Sequence, residues 1–560
     1  MASLYRRATG RGSVDVGDGV FALWKHRALP GLAVYDRQID LIGAAGSAGG
    51  GDKMQPIAGR NSSGEEYYVA HDEWLYRDAR TLLKGLADGS ISSRALLEAY
   101  VARIAERNPG INAVVAMDLE SARRRADEAD AARARGESWG PLHGLPVTIK
   151  DTYEVPGMPC TAGAPMYRDH RPARPAEAVR RLVAAGAIPF GKTNVPFMAS
   201  DIQSYNKVHG VSRNPWNPEL TPGGSSGGAA AALAAGFTAL ELGSDIGGSI
   251  RIPAHFCGVY GHKPTHGIIS LNGHIPGPPG TVGEPDLAVA GPMARSAEDL
   301  ELLLEVLAGP SPAMQPGWQL KLPPSRQKSL KKFRVLLWTD DPVAPIDSRL
   351  AAQYRALEQA LRDAGVAVDK DSPLGMGIAD FYPLYLGLLG GAMGNAQPRL
   401  QRNLLGLAAP VLRKVGGYIA APRFFEEFLA GMGQSHADWQ VKSERRHRLR
   451  RKILPVFEQY DVILMPPGLT TALPHQHSPE MPLRKIRIDG QERNYPDMFM
   501  WISLATLLGL PATSAPVGVT PDGLPVNIQI VGAPYEDRTT LRFAALLADV
   551  MGGFTRPAGW

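Results

Sequence analysis

Short apolar runs alternate with helical patterns along most of this chain, and that alternation restricts it to a layered α/β fold with helices on both faces of a sheet. Leu96, Leu97, Tyr100, Val101 and Ile104 recur on one helical face, opened by Ser92 or Ser93 and expected to close at Asn108-Pro109-Gly110. The apolar run Ala113 to Met117 comes next, then a charged helix around residues 120–137, then a strand over 145–149. A further helix carries Val179, Leu182 and Val183, stops at Gly186 and leads into the strand-like AIPFG (187–191). A Pro- and Lys-rich stretch, 309–332, interrupts the pattern as a surface connection. The pattern resumes with RVLLW (334–338), DVILM (461–465) and VNIQIV (526–531), the last alternating Val526, Ile528 and Ile530 with polar residues. These late strands either complete the first sheet or build a second; spacing alone leaves both open. No internal repeat is visible.

Residues 1–71 break this regularity. They hold no sustained period of two or 3.6, and AAGSAGGG (44–51) reads as a tether, so a disordered N-terminal arm is expected, with Met54 an alternative start. The 560 residues suit one large domain or two fused ones. Sixty Lys+Arg against 55 Asp+Glu leave a net charge of only +5, which gives no reason to expect a nucleic-acid partner. Two cysteines, Cys160 and Cys257, cannot build a disulfide framework, in keeping with a reducing compartment. The first thirty residues lack an apolar h-region with a small-residue cleavage site. The uncharged stretch Phe381 to Gln397 is short and broken by Pro383 and several glycines, so no membrane span is expected and a cytoplasmic location is the default.

Chemistry concentrates in TPGGSSGGAAAALAAG (221–236) and GSDIGGSIRIPAHFCG (243–258), where two glycine-flanked serines, Ser225 and Ser249, stand 24 residues apart with a small-residue helix (228–235) between them. Paired glycines let backbone amides approach a ligand closely. At Ile246-Gly247-Gly248-Ser249 consecutive amides could meet on one oxygen, as an oxyanion hole requires. The plainer alternative is a phosphate-binding or merely turning glycine loop at a helix N-terminus, although no GxxxxGK[ST] is present. GGSSG (223–227) matches the nucleophile-elbow pattern around Ser225, but the preceding SRNPWNPELTP is polar and proline-broken where the elbow needs a buried strand. Two S-x-x-K matches, Ser325/Lys328 and Ser329/Lys332, fall in the basic connection and read as solvated charge.

A serine nucleophile needs a base. His255, His262 and His266 lie near in sequence, but Lys150, which ends the apolar strand LPVTIK, can serve if burial lowers its pKa; the ordinary reading of such a lysine is a snorkelling side chain. Asp245 and Arg251 flank Ser249 and read as a structural pair stiffening the loop. Cys257 reads as a small buried hydrophobe. Nothing has metal-ligand spacing, and no cofactor is expected.

GLPVTIKD, TPGGSSGG, GSDIGGSIR with PAHFCGVYGHKPT, and the late GLPVNIQIVG resemble the amidase signature family, in that family's order, over the chain from about Asp72 to the C-terminus. The resemblance implies a mixed β-sheet core covered by helices on both faces, a catalytic domain over 72–560 and a signature core at about 140–270. It implies that Lys150 is the base, that Ser225 is the bridging residue held by a cis peptide, and that Ser249 is the nucleophile. The amides of Ile246, Gly247, Gly248 and Ser249 are implied as the oxyanion hole, with a further backbone contact to substrate near Ala199, in TNVPFMASDIQSYN. Ala199 stands where that pattern varies. The implied reaction is hydrolysis of a carboxamide, a monocarboxylic acid amide or N-acyl amine, to carboxylate and ammonia or amine through an acyl-enzyme.

FYPLYLGLLGGAM (381–393), Phe424, Phe425, Phe428 and MFMWISLATLLG (498–509) favour an apolar or aromatic acyl group. Two other functions stay open: the glutaminase subunit of a tRNA-dependent amidotransferase, which needs charged anchors for an amino acid, and a non-catalytic binding protein on the same scaffold. The expected partner is a small-molecule amide, with a homodimer also allowed. One fold and triad serve many substrates, so the amide itself is not legible here.

Overall fold

The computed structural model describes residues 58–60, 66–68 and 74–560, apart from 276, 395–396 and 417–420. Successive strand residues point to opposite sides. Val335 and Leu337, Val462 and Leu464 therefore enter one hydrophobic core, whereas Leu336, Ile463 and Met465 enter another. A sheet buried on both faces separates these two cores, as the continuous apolar runs in its strands demand.

Among the described residues that sheet has eleven strands: β1 (Val114–Met117), β2 (Pro146–Lys150), β3 (Ile188–Thr193), β4 (Leu240–Asp245), β5 (Tyr260–Lys263), β6 (Val289–Ala294), β7 (Arg334–Leu337), β8 (Ala367–Lys370), β9 (Val462–Met465), β10 (Ala512–Val519) and β11 (Pro525–Val531). Their spatial order is β8-β7-β9-β11-β10-β5-β6-β4-β2-β3-β1. Parallel pairs (β2 with β3 and β4; β7 with β8 and β9) are joined by antiparallel ones, so the sheet is mixed. The late strands thus complete the first sheet rather than building a second. The connection at 309–332 is largely exposed, as expected of a surface crossing.

The helix expected from Leu96 to Ile104 runs Ser93–Ile111, capped by the Ser92 side chain accepting from the Ala95 N–H, with Leu96, Leu97, Tyr100 and Ile104 buried. It does not close at Asn108-Pro109-Gly110. Pro109 sits in its last turn, and Asn112, in the left-handed conformation, ends it by donating its N–H to the Asn108 carbonyl. Within the segment expected to be disordered, Ala58–Arg60 pairs antiparallel with Glu66–Tyr68; the rest of that expectation, residues 1–57 included, lies outside the described residues. The stretch 381–397 contains the thirteen-residue helix Tyr382–Gly394. Among the described residues no helix is long and apolar enough to cross a membrane.

The small-residue helix spans Gly227–Ala234, and every residue of it is buried. Its composition follows from what surrounds it: a Cβ on Gly228 would fall 2.3 Å from the Asn194 nitrogen. Only a chain without side chains on this face lets the backbone that follows Ser225 sit this close to the end of β3.

Candidate active site

Parallel pairing sets Thr148 opposite Glu241 and Ile149 opposite Leu242, so β2 and β4 end side by side. At their carboxyl ends, where open α/β sheets gather ligands, stand Lys150 on one strand and Ser244 and Asp245 on the other. The Lys150 side chain is fully buried. Its Nζ lies 2.7 Å from Ser225 Oγ, 2.9 Å from Ser226 Oγ, 2.9 Å from Ser244 Oγ and 3.4 Å from the Ser244 carbonyl. Burial pulls its pKa down from 10.5 to about 7, against the opposing pull of the Asp245 and Glu241 carboxylates. An amine poised near neutrality and ringed by hydroxyls is equipped to exchange protons with them.

Ser225 follows a cis peptide bond from Gly224. Gly224 is pressed against the segment after Ala199: a Cβ there would lie 2.5 Å from the Asp201 carbonyl oxygen and 2.7 Å from the Gln203 nitrogen. That segment is itself clamped, because Arg484 donates to Asp201 Oδ2 at 2.6 Å and the Tyr495 hydroxyl donates to Asp201 Oδ1 at 2.8 Å. Ala199 has a positive φ of 52° and its N–H donates to the Pro196 carbonyl.

The loop carrying Ser249 is bound to the loop carrying Ser225 by a hydrogen bond from the Ser226 N–H to the Ser249 carbonyl (3.1 Å). Asp245 and Arg251 form a fully buried ion pair, two-pronged, with Arg251 Nη2 to Oδ1 at 2.8 Å and Nε to Oδ2 at 3.1 Å. Burial opposes ionisation of this carboxyl, but the Arg251 guanidinium outweighs it and holds it down to about 2. Arg251 also donates to the Ile502 carbonyl, Gln529 Oε1 and Thr506 Oγ1, so the pair bolts the Ser249 loop to the C-terminal third of the chain.

One member of the expected oxyanion hole differs. The Gly248 N–H already donates to Asp245 Oδ1 (2.9 Å). Among the described residues, the amides of Ile246, Gly247 and Ser249 donate to no other group of the chain, so those three are available to an incoming oxygen. Gly248 instead shapes the loop through its φ of +85°. The neighbours of these glycines are uncharged: Phe499 and the Tyr385 hydroxyl lie 3.4 and 3.5 Å from a Cβ built on Gly247, and Ile252 and Ile502 flank Gly248. The Tyr385 hydroxyl donates to the Ile246 carbonyl at 3.1 Å.

The histidines near in sequence face elsewhere. His255 lies between the Thr470 carbonyl and the Asn527 N–H, with burial lowering its pKa to about 4, and His262 lies between Thr513 and Asp537. Burial pushes the Cys257 thiol well up, which disfavours a thiolate. Sequence reasoning missed three groups around Lys150. Ser226 and Ser244 stand inside the glycine-rich blocks, where their hydroxyls were the available clue. His274, whose Nε2 lies 2.9 Å from Ser244 Oγ, is a lone histidine in a loop and had none.

Known proteins are similar to this chain along most of its length. The Amidase family model matches residues 95–541. A glutamyl-tRNA(Gln) amidotransferase subunit of Synechococcus sp. (strain WH7803) is 33% identical over 496 residues, covering 84% of this chain and 97% of the relative. Fatty-acid amide hydrolase 2-B of Danio rerio is 30% identical over 515 residues, covering 86% and 91%. The solved structure of 6-aminohexanoate cyclic dimer hydrolase complexed with substrate superposes with a TM-score of 0.67 at 28% identity, covering 87% of this chain and 99% of that one. With its fold and its matched length together, this chain belongs to the amidase signature family of hydrolases.

Proposed function

We propose that the chain hydrolyses a carboxamide through an acyl-enzyme on Ser249, with neutral Lys150 as base and Ser225 as the bridge between them. The observation that carries this reading is the fully buried Lys150 amine, brought to about 7 and set 2.7 Å from Ser225 Oγ. As Ser249 Oγ attacks the carbonyl carbon, its proton passes to Ser225 Oγ and the Ser225 proton passes to Lys150 Nζ. The carbonyl oxygen gains the electron pair beside the amides of Ile246, Gly247 and Ser249. Collapse breaks the C–N bond, and the proton returns from Lys150 through Ser225 to the leaving nitrogen. A water molecule then repeats the sequence against the acyl-enzyme and releases the carboxylate.

The side chains beside the glycine loop support a reading of the substrate class. Phe499, Tyr385, Ile252 and Ile502, the side chains against Gly247 and Gly248, carry no charge, which supports an apolar or aromatic amide. A glutaminase would need counter-charges for an ammonium and a carboxylate, and the charged groups beside the loop, Asp245 and Arg251, already satisfy each other. The similarity to a glutamyl-tRNA(Gln) amidotransferase keeps glutamine as the second reading. A turnover screen across aliphatic, aryl and amino-acid amides tests both. Aryl or long-chain amides are expected to give the highest kcat/KM, and Phe499→Ala to lower it for them more than for acetamide. Glutamine as the best substrate would overturn the apolar assignment.

A further inference from the structure

The amine of Lys150 raises a question of proton direction. A neutral amine has two N–H donors and one lone pair, and three seryl hydroxyls crowd it: Ser225 at 2.7 Å, Ser226 at 2.9 Å and Ser244 at 2.9 Å. The relay proposed above needs the lone pair to face the Ser225 O–H. Any of the three hydroxyls could fill that place, and a proton donated by Ser226 or Ser244 would block it. What matters is where the other two hydroxyl protons go.

Ser226 has an outlet, since its hydroxyl donates to the Ser244 carbonyl at 3.4 Å. The outlet for Ser244 is His274 Nε2, 2.9 Å from its Oγ. The direction of that bond depends on the imidazole tautomer. In the tautomer with the proton on Nδ1, Nε2 presents its lone pair to the Ser244 hydroxyl. Burial, reinforced by the positive charge of Lys192 and, whenever it is protonated, of Lys150, pushes the imidazole down to about 3 and so keeps it neutral.

We propose, resting on the reading of Lys150 as base, that His274 is a positioning residue that draws off the Ser244 hydroxyl proton, so that Ser244 and Ser226 only accept from Lys150 and Ser225 is left as the hydroxyl that donates to it. His274 then acts on the reaction through Ser244 alone. The rival explanation is packing: the His274 ring stands edge-on to Tyr153, centroids 4.7 Å apart, and Tyr153 in turn donates its hydroxyl proton to the Gly243 carbonyl.

His274→Phe separates the two, because it keeps an aromatic ring against Tyr153 and removes the acceptor. The readout is the rate at which a fluorophosphonate labels Ser249 in the full-length protein, with thermal melting followed in parallel. His274→Phe is expected to slow labelling about tenfold, the scale of one misdirected hydrogen bond, with little change in Tm. His274→Gln, whose Oε1 can accept where Nε2 did, should recover most of the rate. In a Ser244→Ala background the competing hydroxyl is gone, so adding His274→Phe should cost nothing further. An equal loss in both backgrounds, a Gln variant as slow as Phe, or a Phe variant at the wild-type rate would each overturn the inference. If the wild type fails to label at Ser249, the parent reading falls and this one with it. Wild-type labelling with any of those three results removes His274 alone.

Discussion

The pH profile of Ser249 labelling is the most direct measure of what burial has done to Lys150. An ordinary lysine at pH 7 leaves only about one side chain in three thousand neutral, whereas one with a pKa of about 7 leaves about half. The fully buried strand end therefore raises the supply of free base about a thousandfold at neutral pH, equivalent to about 5 kcal/mol of preferential destabilisation of the ammonium form. In the proposed relay the deprotonated amine is the active form, so the rate is expected to rise with pH. Between pH 6 and pH 8 it should increase about tenfold and level off above, because the neutral fraction goes from about a tenth to about nine-tenths. The assay is stopped-time labelling by a fluorophosphonate across pH 5.5 to about 10 in constant-ionic-strength buffer, with peptide mapping to confirm the site. Two buried groups shifted into this window act electrostatically on Lys150 or Asp245 and need controls: Glu241, pushed up to about 8 by burial, and Lys263, pulled down to about 7 by burial and by Arg251. Neither hydrogen-bonds the Lys150 amine, so the limb should survive Glu241→Gln and Lys263→Met. A rate that keeps climbing tenfold per pH unit to pH 10, or one flat from pH 6 to 8, would refute the argument.

Ser249→Ala should abolish labelling, while Ser225→Ala slows it without moving the adduct; mass spectrometry of the labelled peptide distinguishes the two, and an adduct on Ser225 in the wild type would reverse their roles. Lys150→Ala should lower turnover by several powers of ten while the melting curve stays cooperative. Asp245→Ala leaves the Arg251 guanidinium buried and unpaired, so a loss of about 3–5 kcal/mol is expected in equilibrium or kinetic unfolding; a change under 1 kcal/mol would show that the pair is dispensable. Gly224→Ala drives a Cβ into the Asp201 and Gln203 backbone and should reduce labelling of Ser249 sharply, read beside circular dichroism; wild-type labelling would show that the loop yields.

Much of this was legible from the chain. Lys150 and Ser225 were marked by type and context, a lysine at the end of an apolar strand and a serine inside a glycine pair, whereas Ser226 and Ser244 beside the amine were not singled out. The Asp245–Arg251 pair was visible because both partners lie within seven residues. What was hidden depends on contacts distant in sequence. No spacing rule places β10 and β11 between β9 and β5, because that order is decided by pairing across hundreds of residues. The alternation in VNIQIV suggests a polar face, yet the whole strand is buried: Asn527 donates to the Val259 carbonyl and Gln529 to the carbonyls of Pro466 and Trp501. The commitment of the Gly248 amide to Asp245 was equally out of reach, since a run of glycines shows how many amides are present and not which are already taken. His274 reaches the amine only through Ser244, and a contact at one remove leaves no pattern in a single sequence.

The strand order also bears on synthesis. Residues 114–294 supply six adjacent strands, ending at β5, and residues 334–465 supply three more, ending at β9; the hairpin β10–β11, from the last fifty residues, is the wedge that joins the two blocks. A ribosome that has released the loops of Ser225 and Ser249 has therefore not yet delivered Ile502, Thr506 or Gln529, the partners that fix Arg251. Until they emerge, β5 and β9 are open edges able to pair with another chain. A transcript truncated before residue 512 should thus yield protein that contains every residue of the relay and nonetheless precipitates unlabelled, and the nascent enzyme should acquire its chemistry in one late step, when the final hairpin docks.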